Sequence, residues 1–284
     1  MPTSAEEQHR EALPTGGAVA FPAAAMLSPP TRWELLRHLR RKHGPLGRVG
    51  KRVRLRLRFG FFTPDDYYET VVSRLVTAET CWLDVGCGRD VFPGNRPLAE
   101  RLAARCAFFQ GIDPDETIEE NRFVHARARQ SLESFETDRT FDLVTMRMVA
   151  EHLEAPQHAV SKLARLTRAG GKVVVYTVNR WSPLALAAYV TPFWLHHPVK
   201  RFLWGTKERD TFPVCYRMNT RRHLAALFSA GGFRCVFSGQ FACCGVFSRF
   251  RPLHVLELAA WPLMSVLGGT YPENNLIGVY ERTG

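Results

Sequence analysis

The chain of 284 residues is 45% hydrophobic, which suffices for one large α/β domain with additions or for two small domains. Its seven cysteines include no C-x-x-C pair, and no segment reaches the roughly 18 uninterrupted apolar residues of a membrane-spanning helix. A disulfide framework or a membrane span is therefore disfavoured. Acids rather than basic residues near the N-terminus, Glu6 and Glu7, argue against a secretory signal, so we expect a cytoplasmic protein.

The net charge of +11 is concentrated in one segment. Residues 1–30 are rich in Ala, Pro and Gly, and we expect a disordered tail there. Residues 31–62 form a basic extension: between positions 31 and 60, eleven Arg and Lys residues stand against one acid, Glu34, a net charge of +10. The positive charge is therefore a property of this extension and not of the rest of the chain.

Within the extension, Arg52 to Phe59 alternates strictly between arginine and apolar residues, the pattern of an extended strand with one charged face. One interpretation is a solvated edge that packs on the domain by its apolar side. The other is attachment to something anionic, either phospholipid headgroups or a phosphorylated substrate. Nucleic acid is a weaker partner, because the segment lacks the interleaved aromatic residues that stack on single strands.

A helix is predicted from Pro64 onward. Thr63 suits the capping position, Pro64 suits the first helical position, and Asp65 and Asp66 fall in the first turn. The apolar residues that follow recur on one face of such a helix: Tyr68, Val71, Val72, Leu75 and Val76. This helix begins the main domain, which we expect to span residues 63–284.

The most informative stretch is a buried strand, Cys81 to Val85, that leads directly into a turn containing Gly86 and Gly88. Glycine adopts positive φ and has no Cβ, so this turn lets the backbone approach a ligand at the carboxyl end of a strand. One acid, Asp84, precedes the turn. A second, Asp113, ends the next apolar run, where a ribose diol is usually bound. The pattern indicates a cofactor that carries a nucleoside.

The nature of that cofactor follows partly from what is missing. A dinucleotide fingerprint needs a third glycine, but Val91 occupies that position, and no G-x-x-x-x-G-K-[ST] loop is present. Asp84 would repel a phosphate, whereas a carboxylate suits an ammonium group. A ligand with an amino acid at one end and an adenosine ribose at the other fits best, and S-adenosylmethionine is such a ligand.

From about Tyr67 to the C-terminus the chain resembles the class I S-adenosylmethionine-dependent methyltransferases, whose first motif is a hydrophobic strand followed by D-x-G-x-G. The resemblance implies an α/β fold with a doubly wound, mostly parallel seven-stranded sheet and an antiparallel last strand. It implies S-adenosylmethionine as methyl donor, bound by Asp84, Gly86, Gly88 and Asp113. An aromatic residue of the N-terminal helix can cover the cofactor in related enzymes, which makes Tyr67 or Tyr68 a further candidate, with packing in the core as the alternative.

The next elements are a helix from Pro97 to Arg105, a second strand from Phe108 to Asp113, and a third strand with a poor pattern between residues 123 and 135. The resemblance places an adenine contact near Ser131-Leu132-Glu133, so Leu132 is a candidate cofactor residue. The fourth strand, Phe141 to Met146, leads into Arg147-Met148-Val149-Ala150-Glu151-His152-Leu153-Glu154-Ala155-Pro156. This segment resembles the E-H-L-x-x-P sequence of small-molecule "type 11" methyltransferases of the quinone-pathway type.

A helix with Val160, Leu163 and Leu166 inward is expected to end at Gly170-Gly171, before a fifth strand from Lys172 to Asn179. Residues 180–217 are rich in Trp, Phe, His and Pro, and the resemblance implies a lid over an apolar or ring-bearing acceptor. A helical hairpin that packs on itself is the alternative. The remaining elements are a helix over 220–230, a strand over 233–240, an apolar insertion at 251–267 and an antiparallel seventh strand over 276–281.

Methyl transfer needs a base only if the acceptor atom must lose a proton. His152 is the best candidate base, because its usual pKa is near 6.5 and it follows the fourth strand at the same sheet edge as the cofactor. Glu151 is the alternative, or it holds the imidazole. Arg147 is a candidate contact to the cofactor or to an acceptor carboxylate. No metal site is predicted.

Three classes of function compete. The leading hypothesis is a methyltransferase acting on oxygen or nitrogen of a small, apolar or aromatic molecule. Its variant is a peripheral-membrane enzyme that acts on a lipid-like or phosphorylated acceptor, with residues 31–60 and 251–267 as the contact surface. Nucleic-acid methylation is disfavoured, because Thr145-Met146-Arg147-Met148 replaces an N/D-P-P-Y motif and no Pro-Cys pair is present. A non-catalytic binding protein is disfavoured, because a dead site need not keep its cofactor residues.

Overall fold

A computed structural model describes residues 26–45, 49–182, 214–267 and 271–284. Its centre is a seven-stranded sheet in the order β3-β2-β1-β4-β5-β7-β6. The strands are β1 Cys81–Val85, β2 Phe108–Ile112, β3 Ala126–Ala128, β4 Phe141–Arg147, β5 Thr167–Val178, β6 Phe233–Phe241 and β7 Asn275–Arg282. Strands β1 to β5 pair in parallel, and β7 runs antiparallel to both β5 and β6. The predicted doubly wound sheet with an antiparallel last strand is confirmed.

Seven α-helices lie among the described residues. They are α1 Arg32–His43, α2 Lys51–Arg58, α3 Pro64–Leu75, α4 Arg96–Ala103, α5 Pro156–Leu166, α6 Arg221–Ala230 and α7 Arg251–Val266, with one 3₁₀ turn at Glu116–Glu120. Helix α3 begins as predicted: the Thr63 hydroxyl accepts from the Asp66 amide while the Asp66 carboxylate accepts from the Thr63 amide, a reciprocal cap.

The two faces of the sheet carry separate apolar clusters. Residues of α3 and α4 share one cluster with Trp82, which stacks on Phe109 at 3.8 Å between ring centroids. Residues of α5 and α6 share the other cluster with Leu83 and Val144. Because side chains alternate along a strand, Asp84 lies on the Trp82 side of the sheet.

The alternating segment of the basic extension is a helix, α2, and not the extended strand that its pattern predicted. Arginine and leucine are good helix formers. The arginines do not all lie on one face, because Arg56 is directed inward and its Nη1 lies 3.0 Å from Oδ2 of Asp66. The exposed cations Lys51, Arg54 and Arg58 then recur on one side of the helix.

Buried ion pairs attach α1 and α2 to α3. The Glu69 carboxylate is the centre of this network. Its Oε2 lies 2.6 Å from His38 Nε2 and 2.6 Å from Asn95 Nδ2, and its Oε1 lies 2.9 Å from Lys42 Nζ. His38 and Glu69 belong, with Asp66, to a group of side chains with metal-ligand spacing. Lys42 Nζ also lies 3.6 Å from Oδ1 of Asp66, and Arg56 pairs with the other oxygen of Asp66, so two cations face the two carboxylates.

Two other expectations change. The helix predicted to end at Gly170-Gly171 ends at Leu166, because Thr167 starts β5 and Gly170 adopts positive φ within that strand. The end of the predicted disordered tail is docked: the Leu27 amide donates to Val236 O at 2.9 Å, whereas residues 1–25 lie outside the described residues. The apolar insertion is helix α7. Most of the predicted lid, residues 183–213, also lies outside the described residues.

Candidate active site

The glycine turn after β1 is fixed against the second strand. The amides of Gly86 and Cys87 both donate to Ile112 O, at 2.8 and 3.3 Å. Gly86 has φ +72°, and a Cβ at this position would lie 2.3 Å from Cγ2 of Val149. Only glycine therefore satisfies both the backbone angle and the close approach of the loop that follows β4.

Asp84 is a buried carboxylate at the start of this turn, 2% exposed. The Thr145 hydroxyl of β4 donates to its Oδ1, and Trp82 Nε1 donates to the same hydroxyl at 2.7 Å. Burial raises the pKa of Asp84 to about 7, against the hydrogen bond from Thr145 and the positive charge of Arg147. Such a carboxylate is well placed to bind a cationic ligand.

Asp113 closes the other side of the turn. Its Oδ2 accepts from the Gly88 amide at 2.9 Å and its Oδ1 accepts from the Asp115 amide at 2.8 Å. Asn121 donates to Gly88 O at 2.9 Å, which fixes the turn from a third direction. The half-buried carboxylate keeps further lone pairs on both oxygens, and burial raises its pKa.

The loop after β4 brings the E-H segment to the same sheet edge. Met148 adopts positive φ, 54°, and its amide donates to Tyr176 O at 2.7 Å. This bend directs Val149 onto Gly86, and the His152 amide donates to Val149 O at 2.9 Å. The predicted base region and the glycine turn are therefore packed against each other.

Glu151 and His152 differ in accessibility. The Glu151 side chain is 5% exposed, and its Oε2 accepts from the Thr177 hydroxyl at 2.6 Å. Asn219 in turn donates to that hydroxyl at 2.6 Å. Burial raises the pKa of the Glu151 carboxyl. His152 is half-buried, so it is the more accessible of the two groups.

Arg147 and Tyr67 lie on the side of the site formed by α3. Arg147 Nη2 lies 2.9 Å from Oδ1 of Asp65, and its guanidinium carbon lies 5.5 Å from the centroid of the Tyr176 ring. Tyr67 is half-buried and packs on Phe241 at 4.5 Å between centroids. Both side chains are thus held by partners from the protein itself.

Leu132 belongs to the apolar cluster that contains Val85 and Ile112, at 2% exposure, while Glu133 is exposed. The structure therefore places Leu132 below the same sheet edge as a packing residue beside the ends of β1 and β2.

Sequence reasoning missed three side chains that shape the site: Thr145, Asn121 and Asp65. Thr145 had a usable signal, because it is the one hydroxyl in an otherwise apolar stretch of β4 and lies in register opposite Asp84. Asn121 and Asp65 act from a 3₁₀ turn and a helix start, and no local pattern in the sequence predicts their partners.

A sheet of this order with a glycine turn and two carboxylates at its carboxyl edge defines a nucleotide-binding α/β fold of the methyltransferase type. The model for the family "Methyltransferase domain" matches residues 51–237, and the chain belongs to this family. The resemblance inferred from the motifs is thereby confirmed.

Individual relatives match more locally. The ubiquinone biosynthesis O-methyltransferase of Coxiella burnetii is 32% identical over 107 residues, 34% of this chain and 43% of that protein. The protein of the same name from Nitrosomonas europaea is 30% identical over 126 residues, 40% of this chain and 50% of that protein. The chain therefore spans about half the length of these relatives or less.

A solved structure supports the fold. An S-adenosylmethionine-dependent methyltransferase from Mesorhizobium loti superposes with a TM-score of 0.50 at 16% identity, covering 76% of this chain and 96% of that one. Among the helices that the structure describes, none is both long and apolar enough to cross a bilayer.

Proposed function

We propose that this protein transfers a methyl group from S-adenosylmethionine to an oxygen of a small, ring-bearing or apolar acceptor. The observation that carries the proposal is the pairing of a tight glycine turn with two carboxylates, Asp84 and Asp113, at its two ends. The curated relatives named above are O-methyltransferases, which favours oxygen over nitrogen as the accepting atom.

The residues present fit this donor. Burial raises the pKa of the Asp84 carboxylate, and an α-ammonium group of the donor would favour its ionised form. Asp113 offers paired oxygens to a ribose diol, held in place by the amides of Gly88 and Asp115. The space beside Gly86 is filled by Val149, whereas a Cβ at Gly88 would meet no atom closer than 3.8 Å, so the backbone at Gly88 is where a flat nucleoside can approach the turn.

When bound, the donor supplies a sulfonium methyl group that is open to in-line displacement. The protein's own contribution is alignment and exclusion of water, for which effective molarities of about 10⁵ to 10⁸ M are available. Tyr67 and Phe241 form an aromatic wall beside the site, which suits an apolar or aromatic acceptor. Arg147 is held by Asp65 and lies over the Tyr176 ring, which leaves it as a candidate contact to a polar group of the donor or the acceptor.

The acceptor's proton needs a destination if the nucleophile is a hydroxyl. We assign it to His152, because this side chain is reachable from the site while the Glu151 carboxylate is almost fully buried. Glu151 acts as a positioning residue, fixed by the Thr177 hydroxyl and the Asn219 amide.

The decisive measurement is calorimetric titration of the whole chain with S-adenosylmethionine and with S-adenosylhomocysteine. We expect binding of both, and a loss of at least about tenfold in affinity for Asp113→Asn, since a hydrogen bond to a charged group contributes about 1.5–3 kcal/mol. Asp138→Asn removes an exposed acid elsewhere and is the matched control. Binding of a nicotinamide cofactor in place of these ligands would refute the proposal.

A further inference from the structure

Helix α7 presents an apolar face to solvent. The large side chains on it, and Leu267 just after it, are strongly exposed: Leu253 45%, Leu256 65%, Leu263 55%, Val266 82% and Leu267 76%. Between Pro252 and Leu267 the sequence has one charged residue, Glu257, and that residue is buried. The outer side of this helix is therefore apolar along its length, which is unusual for a surface that only meets water.

The orientation of α7 is set by its inner side. The Glu257 carboxylate accepts from the amides of Val246 and Phe247 at 3.0 and 3.3 Å. Trp261 packs edge-on against Phe61 at 5.3 Å between centroids, and Leu258 is fully buried. The exposed leucines are thus turned outward by specific contacts on the opposite side of the helix.

The basic helix α2 packs beside α7. Leu55 and Phe59 of α2 pack against the apolar cluster of Phe61, Cys244 and Leu258, to which Trp261 also contributes. Helix α2 carries no acid, and its cations Lys51, Arg52 and Arg58 are exposed. Helix α1 adds an exposed tryptophan, Trp33 at 77%, and three further exposed arginines, Arg37, Arg40 and Arg41.

We propose that α7 and α2 together form a docking surface for an anionic phospholipid bilayer, with the α7 leucines entering the headgroup region and the cations of α1 and α2 lying over the lipid phosphates. The apolar side chains match the acyl boundary of such a bilayer, and the flanking cations and the exposed tryptophan match its headgroup layer. The binding is peripheral and reversible.

Charge favours this occupant over the others. In a two-fold contact between copies of the chain, the basic α2 helices would be brought toward each other and would repel. Nucleic acid would pair with the cations but would leave five large apolar side chains without a partner. An anionic bilayer satisfies both sets of residues.

The surface adjoins the acceptor side of the site. Phe241, which packs on Tyr67, is followed directly by Ala242, a member of the cluster beneath α7. If the proposed function holds, an apolar acceptor dissolved in the bilayer reaches the aromatic wall without crossing water. The docking surface itself does not depend on the identity of the methyl donor.

The test is co-sedimentation of the whole chain, without donor, with vesicles of phosphatidylcholine alone and of phosphatidylcholine mixed with phosphatidylglycerol. We expect binding to the mixed vesicles that weakens as salt rises. The double variant Lys51→Glu/Arg58→Glu should bind at least about fivefold more weakly for each cation lost. The double variant Leu256→Gln/Leu263→Gln should bind the mixed vesicles roughly tenfold or more weakly, because it removes apolar surface that the bilayer would bury.

The matched control is Arg165→Glu/Arg222→Glu, which makes the same change in net charge on the exposed sides of α5 and α6. It should bind vesicles nearly as well as the unaltered chain. Equal losses in the control and the α2 variant, or no preference for mixed vesicles, would overturn the proposal. So would a dimer that dissociates in the leucine variant while vesicles are ignored. Affinity for S-adenosylmethionine, measured by titration, is a separate readout and should be unchanged in all variants. A failure of the donor assignment is therefore distinguishable from a failure of the docking surface.

Discussion

At the scale of single residues, the buried Asp84 carboxylate destabilises the ligand-free protein when it is ionised. In our proposal the same carboxylate binds the ammonium group of the donor. Its folded pKa of about 7 lies above the ordinary value for Asp, so the folded chain binds more protons than the unfolded chain between about pH 4 and 7. Its ionisation therefore removes stability as the pH rises through that window. A cationic ligand reverses the penalty by stabilising the ionised form.

We predict that Asp84→Asn raises the melting temperature of the ligand-free protein above pH 7, by about 2–4 °C for each kcal/mol of relieved penalty, while weakening donor binding. The Asn carbonyl can still accept from Thr145, so the fold is retained. In the unaltered chain, donor affinity should fall as the pH is lowered below 7. Scanning calorimetry and titration at several pH values check both statements; a variant that is less stable above pH 7 contradicts the assignment.

Gly86 offers a second test at this scale. Gly86→Ala places a methyl group 2.3 Å from Val149 Cγ2 in a backbone conformation with positive φ. Gly94→Ala is the matched control, since Gly94 has φ +80° and open space around its Cβ position. We expect both variants to lose about 1 kcal/mol in urea unfolding from the backbone term, and Gly86→Ala to lose further stability and donor binding. Equal losses would show that Val149 moves freely.

His152 and Glu151 are separable by their pH profiles. With a panel of phenolic acceptors and labelled S-adenosylmethionine, His152→Ala should lower turnover by about 10² or more, the usual contribution of a general base. Glu151→Gln should lower it less and shift the pH at which turnover rises, because it alters the surroundings of the imidazole. Donor affinity should be unchanged in both. Turnover in His152→Ala equal to that of the unaltered chain would remove this residue from the mechanism.

At the scale of elements, the sequence was most informative where several local signals agreed. The cap, proline and apolar spacing of α3 all indicate a helix, the apolar run at β1 indicates a strand followed by a glycine turn, and both elements are present as predicted. The same agreement of signals predicts that the glycine turn lies between two carboxylates, those of Asp84 and Asp113.

The failures arose where tertiary contacts overrode the local pattern. Alternation indicated a strand at Arg52 to Phe59, but the Arg56–Asp66 ion pair and the packing of Leu55 belong to a helix. Two glycines suggested a helix end at Gly170-Gly171, but Gly171 is required within β5, where a Cβ would lie 3.0 Å from Phe141 O. No sequence pattern reports a partner that is distant along the chain, and the same limit hid the Asp65–Arg147 pair.

The attachment of α1 to α3 gives a prediction at this scale. Glu69→Gln would leave Lys42 without its main carboxylate partner, and breaking a buried pair costs about 3–5 kcal/mol. We expect a large fall in the urea midpoint. Glu100→Gln removes an exposed acid on α4 and should change the midpoint little. If the two midpoints fall together, the buried network does not hold the extension.

At the scale of the whole molecule, the basic extension shares apolar clusters with α3 and with α7, while α5 and α6 pack in a separate cluster on the other face of the sheet from α3. We predict that anionic vesicles slow amide hydrogen exchange in residues 51–58 and 251–267, and leave α5 and α6 unchanged. Mass spectrometry after proteolysis locates the protection. Uniform protection across the chain would indicate aggregation on the vesicles and not a docked orientation.

Four consecutive residues at the start of α3 are each attached to a different part of the molecule: Asp65 to Arg147, Asp66 to Arg56, Tyr67 to Phe241 and Tyr68 to Tyr176. A single turn of helix therefore connects the basic extension both to the end of β4 and to the aromatic pair that we propose as a wall for the acceptor. A descendant of this chain that lost the extension would lose the partners that hold this turn, so the extension and the proposed acceptor side should be inherited as a unit.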